Sequence, residues 1–104
     1  MKNETYLDFC FIRKETAGEF SKEIRGMFAT LFKGQRLHWY LEARVDRGLE
    51  IVIAEVKGMS QWTSEREAAE YLDEHACQSF WEMLQGYRFQ IYPATEGCAT
   101  CGQR

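Results

Sequence analysis

Two cysteines near the C-terminus have the spacing of metal ligands. The segment Cys98-Ala-Thr-Cys101-Gly102 places two thiols three residues apart and follows them with a glycine. Such a pair can bind one ion, but a structural zinc needs four ligands, and the chain has no second Cys-x-x-Cys. The missing ligands would come from elsewhere in the fold or from a second subunit. We expect no cofactor unless Cys98 and Cys101 bind zinc.

The same two cysteines have two other interpretations. A redox dithiol usually begins a helix, where the macrodipole lowers the pKa of the thiol, whereas Cys98 and Cys101 lie in a short polar segment after Pro93. Terminal residues are poorly ordered by default. The favoured interpretation is therefore a single folded domain over residues 1–93 and a flexible tail over 94–104 without a chemical role.

The charge, the apolar runs and the sequence motifs argue against several classes of protein. The net charge is −3 and no basic run occurs, so nucleic-acid binding is not favoured. No run of about 18 apolar residues exists, which argues against a membrane span. The N-terminal segment lacks the apolar stretch of a signal peptide, so we expect a cytoplasmic protein. The catalytic motifs for acyl transfer, phosphate binding and zinc hydrolysis are missing, and we expect no enzyme.

The elements that would position any site follow from apolar periodicity. Alternating residues predict strands near 5–13, 36–45, 49–56 and 87–92, and steps of three and four predict helices after Glu19 and from Ser64 to Gly86. Thr16–Glu19 and Ser64–Glu67 have the spacing of capping boxes. The order βαββαβ predicts an α+β fold, the ferredoxin-like sandwich, with a four-stranded antiparallel sheet and two helices packed on one face. A mixed sheet is the main alternative.

The third strand, Gly48–Val56, is predicted to be central. We expect Leu49, Ile51 and Ile53 to face the helices, and the alternate residues to form part of an open, partly apolar sheet face. Such a face is often an interface. The strand shows no aromatic residue there, which argues against RNA stacking. The expected contact residues on the open face are Tyr6, His38, Tyr40, Val52 and Tyr92. We expect three more exposed contact residues outside this face: Met59, Trp62 and Trp81.

These features favour a small non-enzymatic binding or regulatory module that works through protein–protein contacts. We expect its partner to be a second copy of itself, in a homodimer formed through the sheet face. By analogy, inhibitors and accessory proteins of mobile or phage elements are of this kind. Two alternatives stay open: a metal- or thiol-handling protein that uses Cys98 and Cys101, and a small-molecule sensor with its ligand between subunits or under the 57–63 loop.

Overall fold

The computed structural model describes residues 3–15 and 19–92. Its elements are β1 (Asn3–Lys14), α1 (Phe20–Leu31), β2 (Arg36–Asp46), β3 (Leu49–Ser60), α2 (Glu65–His75), α3 (Gln78–Met83) and β4 (Leu84–Tyr92). The strands form one sheet in the order β2-β3-β1-β4, and every pairing is antiparallel. The predicted α+β class, the antiparallel sheet and the inner position of β3 are confirmed, and the mixed sheet is wrong. The predicted tail and Thr16 lie outside the described residues.

The core lies between one sheet face and the helices. Leu7, Phe9 and Phe11 of β1 are buried on that face, as their alternation predicts. The Phe9 ring lies 5.6 Å from the rings of Phe28 in α1 and Phe80 in α3. Burying one such side chain stabilises the fold by roughly 1.5–3 kcal/mol. The α1 stripe, α2 and β3 supply most of the remaining buried residues, among them Phe20, Ile24, Leu31, Ala68 and Leu72, and Phe32 after α1, Leu37 of β2 and Ile91 of β4 complete the core.

The predicted facing of β3 is wrong. Val52 is 0% exposed and belongs to the core, whereas Ile53 is 38% exposed on the opposite face. The cause is the turn before the strand: Arg47 and Gly48 both have positive φ, at 53° and 77°, and they alone connect Asp46 to its partner Leu49. A two-residue turn of this kind fixes the register of the hairpin. It sets Ala54 and Val56 of β3 beside the larger Leu41 and Trp39 of β2.

The predicted second helix is also wrong in one respect, because it is two helices. Ala76 and Cys77 are extended, with ψ of 142° and 168°, and they separate α2 from α3. The fourth strand begins at Leu84, so Gly86 lies inside β4 instead of ending a helix. One of the two hydrogen bonds of the capping box predicted for α2 is confirmed: the Ser64 hydroxyl accepts from the Glu67 backbone N–H at 3.2 Å.

The 57–63 segment is largely strand and not a loop, since β3 continues to Ser60. Buried polar groups join its end to the start of β1: the hydroxyls of Thr5 and Ser60 lie 2.6 Å apart, and the Asn3 amide donates to the Trp62 carbonyl at 2.7 Å. Of the helices in the described chain, none is long and apolar enough to cross a membrane.

Candidate functional site

The open face is the sheet surface opposite the core. Within residues 3–15 and 19–92 no helix packs on it. Facing residues of neighbouring strands share one side of a sheet, so the register gives its layout directly. From β2 across β3 to β1, the successive rows are His38–Lys57–Tyr6, Tyr40–Glu55–Asp8, Glu42–Ile53–Cys10, Arg44–Ile51–Ile12 and Asp46–Leu49–Lys14.

An apolar block occupies the middle of the two inner strands on this face. We define it as Cys10, Ile12, Ile51 and Ile53, which pair as Cys10 with Ile53 and Ile12 with Ile51. Ile53 is exposed and the other three are half-buried. Leu49 extends the block along β3 and is also exposed. The water-facing side of an antiparallel sheet is usually polar, so a cluster of three isoleucines and a cysteine that no described helix covers is an exception and suggests an interface.

Charged side chains border the apolar block on β2. Glu42 lies beside Ile53 and Arg44 lies beside Ile51, and the Arg44 guanidinium contacts the Glu42 carboxylate at 2.9 Å. Further along β3, the Lys57 amine lies 3.5 Å from the Glu55 carboxylate. Exposed ion pairs of this kind add little to fold stability. Their alternating signs give the face a charge pattern that another surface can match.

Tyrosines occupy the far end of the open face. The Tyr6 and Tyr92 rings lie edge to face with centroids 5.7 Å apart, and the Tyr6 hydroxyl donates to the Glu4 carboxylate at 3.0 Å. This hydrogen bond, together with the negative charge of Glu4, raises the pKa of Tyr6. On β2, Tyr40 is 58% exposed and lies under the Lys57 amine at 5.3 Å. Both tyrosine sites keep their rings available to a partner.

Of the five contact residues predicted on the open face, four lie on it and one does not. Tyr6, His38, Tyr40 and Tyr92 lie there by register. Val52 does not, because the hairpin turn places it in the core, fully buried. It cannot touch a partner on the open face, and Ile53 takes that position instead.

The other three predicted contact residues lie in different surroundings. Met59 belongs to β3 and not to a loop, and it lines a shallow cavity of about 230 Å³ with Trp62. Trp62 is half-buried against the Tyr71 ring, 5.3 Å away. Trp81 is 39% exposed on α3, edge-on to Phe80.

A cleft of about 450 Å³ separates α1 from α2 and α3. Its walls include Gly26 and Met27 of α1, Phe80 and Met83 of α3, and Cys77 in the break between α2 and α3. The Cys77 and Met27 sulfur atoms lie 3.8 Å apart. The sequence did not predict this cleft, whose wall includes the break in the expected single helix.

A half-buried arginine joins β1, β3 and α1 on the core side. The Arg13 guanidinium donates to Glu50 at 2.9 Å and to Glu23 at 2.7 Å, and it lies 4.4 Å from the centre of the Phe20 ring. Burial acts to lower the pKa of Arg13, but its hydrogen bonds to Glu50 and Glu23 outweigh this and raise it. The cluster holds the start of α1 to the sheet, and its Phe20 and Glu50 line a cavity of about 280 Å³.

The metal prediction rests on Cys98 and Cys101, which lie outside the described residues. In the part that the structure describes, no group of three or more His, Cys, Asp or Glu side chains is arranged to hold a metal ion. Cys10 and Cys77 are free thiols, one in the apolar block and one in the cleft.

The chain matches no model of a known protein family, and no curated protein matches it.

Proposed function

We propose that the chain is a small non-enzymatic binding module that associates with protein through its open face, and that it forms a homodimer this way. The observation that carries this proposal is the apolar block of Cys10, Ile12, Ile51 and Ile53 on a face that no described helix covers. Moving such residues out of water gains about 25 cal/mol per Å² of apolar surface. A regulatory action would then consist of occupying a partner's surface.

The fold proposed for this module is the ferredoxin-like sandwich, with its helices packed on one face of the sheet. The strand order β2-β3-β1-β4 and the antiparallel pairings support it. In this assignment α3 is a short addition to the second crossover. The consequence for function is a sheet with one face covered by helices and one face left for binding.

The position of the isoleucines supports binding better than a structural role. The core on the other face is already filled by the aromatic residues of β1, α1 and α3, so the fold does not need Ile51 or Ile53. Ion pairs at Glu42–Arg44 and Glu55–Lys57 frame the block. A centre of apolar side chains inside a polar rim is the usual anatomy of a protein interface.

Sedimentation equilibrium from micromolar to near-millimolar concentration tests the proposal. We expect reversible dimers of the wild-type chain and loss of dimers in Ile53→Lys, because this variant places a charge in the apolar block. Val45→Lys is the matched control: Val45 is also β-branched and exposed, but by alternation it lies on the other face of the same hairpin. A monomer at every concentration, or equal behaviour of the two variants, would refute the proposal.

The cleft between the helices supports a second candidate function, the binding of a compact apolar small molecule. Gly26 lies in the interior of α1, where glycine costs roughly 0.5–1 kcal/mol relative to alanine. A Cβ at this position would meet nothing within 4 Å, so the described chain offers no packing reason for the glycine. It widens a cleft of about 450 Å³, a volume typical of ligand sites.

A thermal-shift panel of apolar and aromatic compounds tests this second candidate, since a ligand that binds the native state raises the melting temperature. We expect Gly26→Leu to abolish the shift by filling the cleft. Lys22→Leu, an exposed change earlier on the same helix, should keep it. If no compound raises the melting temperature, or if both variants respond like the wild type, the cleft is not a binding site.

A further inference from the structure

We infer that two copies of the chain pair their open faces about a two-fold axis that crosses the strands at the centre of the apolar block. The inference rests on the proposed function and adds the orientation of the partner. Two sheets that meet face to face by two-fold symmetry need an axis lying in the plane between them. When the strands of the two sheets stack in line, this axis runs either along the strands or across them, and the charges on the face distinguish the two cases.

An axis across the strands places each strand over its own copy in the reverse direction. Centred between the Cys10 and Ile12 rows, it sets Ile53 over Ile51 of the second copy and Cys10 over Ile12 of the second copy. The apolar block then covers itself completely. Sheets stacked in this way lie about 10 Å apart, so the side chains of the two blocks interdigitate.

The same axis matches the charges around the block. On β2 it sets Glu42 over Arg44 of the second copy, and on β1 it sets Asp8 over Lys14 of the second copy. Each match occurs twice because the interface is self-complementary. All four of these pairs join opposite charges, while Glu55 meets Leu49 and Asp46 meets Tyr40 of the second copy, so no like charges meet along β1, β2 and β3.

An axis along the strands gives the opposite result. It places β3 over β1 of the second copy with the rows unchanged, so that Glu55 lies over Asp8, again twice. Like charges in an interface disfavour the arrangement in which they meet. Along β1, β2 and β3 the charges therefore favour the axis across the strands, although Arg88 of β4 also borders Asp8 on this face.

The area of this contact predicts a weak dimer. Four residue rows spaced about 6.7 Å apart, on the three strands β1, β2 and β3 spaced about 4.8 Å apart, give a footprint of about 400 Å² per copy, because β4 ends opposite Phe11 and does not meet its own copy. Stable interfaces bury about 800 Å² per partner. We therefore expect association that depends strongly on concentration and weakens as salt screens the four charge pairs.

Charge reversal with mixing tests the orientation. Glu42→Arg and Arg44→Glu should each weaken homodimers about tenfold, because each variant puts like charges opposite each other twice. An equimolar mixture of the two variants should form heterodimers with wild-type affinity, since opposite charges then meet across the interface. This recovery cannot come from the ion pair within one chain, which stays broken in both variants. Arg66→Glu and Glu70→Arg, at an exposed ion pair on α2, are the matched controls and should change nothing.

Each outcome of this experiment is informative. Recovery in the mixture alone supports the crossed arrangement. Variants that dimerise like the wild type, or that are weakened without recovery on mixing, overturn the orientation; if dimers still require Ile53, the proposed function survives. A wild-type chain that never dimerises removes the self-association on which both proposals rest.

Discussion

Gly58 is the glycine at which the addition of a Cβ atom should lower the stability of the fold most. It lies in β3 between Leu37 of β2 and Thr5 of β1, with φ at +153°. A Cβ built on Gly58 would lie 2.1 Å from the Arg36 carbonyl oxygen and 3.0 Å from the Leu37 Cα. Both neighbours are backbone atoms of the adjacent strand, so no side-chain rotation can relieve the clash.

The cost of Gly58→Ala follows from this geometry. The non-glycine backbone strain contributes about 1–3 kcal/mol. In addition, β2 must move away by about 1.3 Å to reach the 3.4 Å of ordinary contact, and this weakens hydrogen bonds worth about 1 kcal/mol each. We expect a total loss of about 3–5 kcal/mol, a large share of the roughly 5–15 kcal/mol that stabilises a domain.

Gly26→Ala is the matched control for Gly58→Ala. The same atom is added in a helix with nothing within 4 Å, and we expect a gain of about 0.5–1 kcal/mol. Denaturant titration followed by circular dichroism measures both changes as shifts of midpoint at constant slope. If Gly58→Ala loses less than about 1 kcal/mol, or if the two variants change stability equally, the reasoning from the β2–β3 contact is refuted.

Two further predictions concern charge. Arg13→Met should destabilise the fold by about 2–3 kcal/mol in a denaturant titration, because it leaves the nearly buried Glu50 carboxylate without its partner; the double variant Arg13→Met/Glu50→Met should recover part of the loss, and no recovery would contradict this. Hydrogen bonds from the Thr63 backbone N–H and hydroxyl lower the pKa of Glu67. The ionised carboxylate therefore stabilises the fold above the ordinary pKa of 4.5, and this stabilisation is lost as the pH falls through the lowered pKa. Glu67→Gln should therefore make acid unfolding shallower in that range, and an unchanged acid profile would show that the two hydrogen bonds do not form in solution.

The sequence predicted the elements whose two faces differ in polarity. In α1 the apolar residues return every three or four positions, and the buried stripe from Phe20 to Leu31 is where this spacing places it. In β1 the residues Leu7, Phe9 and Phe11 are larger and more apolar than their neighbours, so the core side was clear. In both cases burial of one face outweighs any other arrangement.

The facing of β3 could not be predicted from alternation, because both of its faces are apolar. Only the turn decides between them. Treating Asp46, Arg47 and Gly48 together as the connector leaves the register open, whereas a two-residue turn at Arg47–Gly48 fixes Asp46 opposite Leu49. A shift of one residue moves every side chain to the other face. The positive φ that this turn needs was signalled by Gly48 alone, which is too little to fix the turn length.

The cleft had no sequence signal at all. Neither Ala76 nor Cys77 is a helix breaker, and the apolar stripe of α2 continues in phase to Phe80. After the interruption, Phe80 packs against Phe11 with ring centroids 5.2 Å apart, a tertiary contact that no local pattern signals. Local propensity is too weak to oppose such a contact.

The two faces of β3 have different roles: the residues on one face pack in the core, and those on the other face are proposed to contact a second copy. Substitutions at 52, 54 and 56 change the core, and Ala54, which pairs with Phe9 and Leu41, has no room for a larger side chain. Substitutions at 51 and 53 leave the core intact. A library selected only for folded chains should therefore tolerate the odd positions and reject changes at the even ones. A second selection, for self-association, should also reject changes at the odd positions. The two mutational profiles would then differ at every second residue of β3.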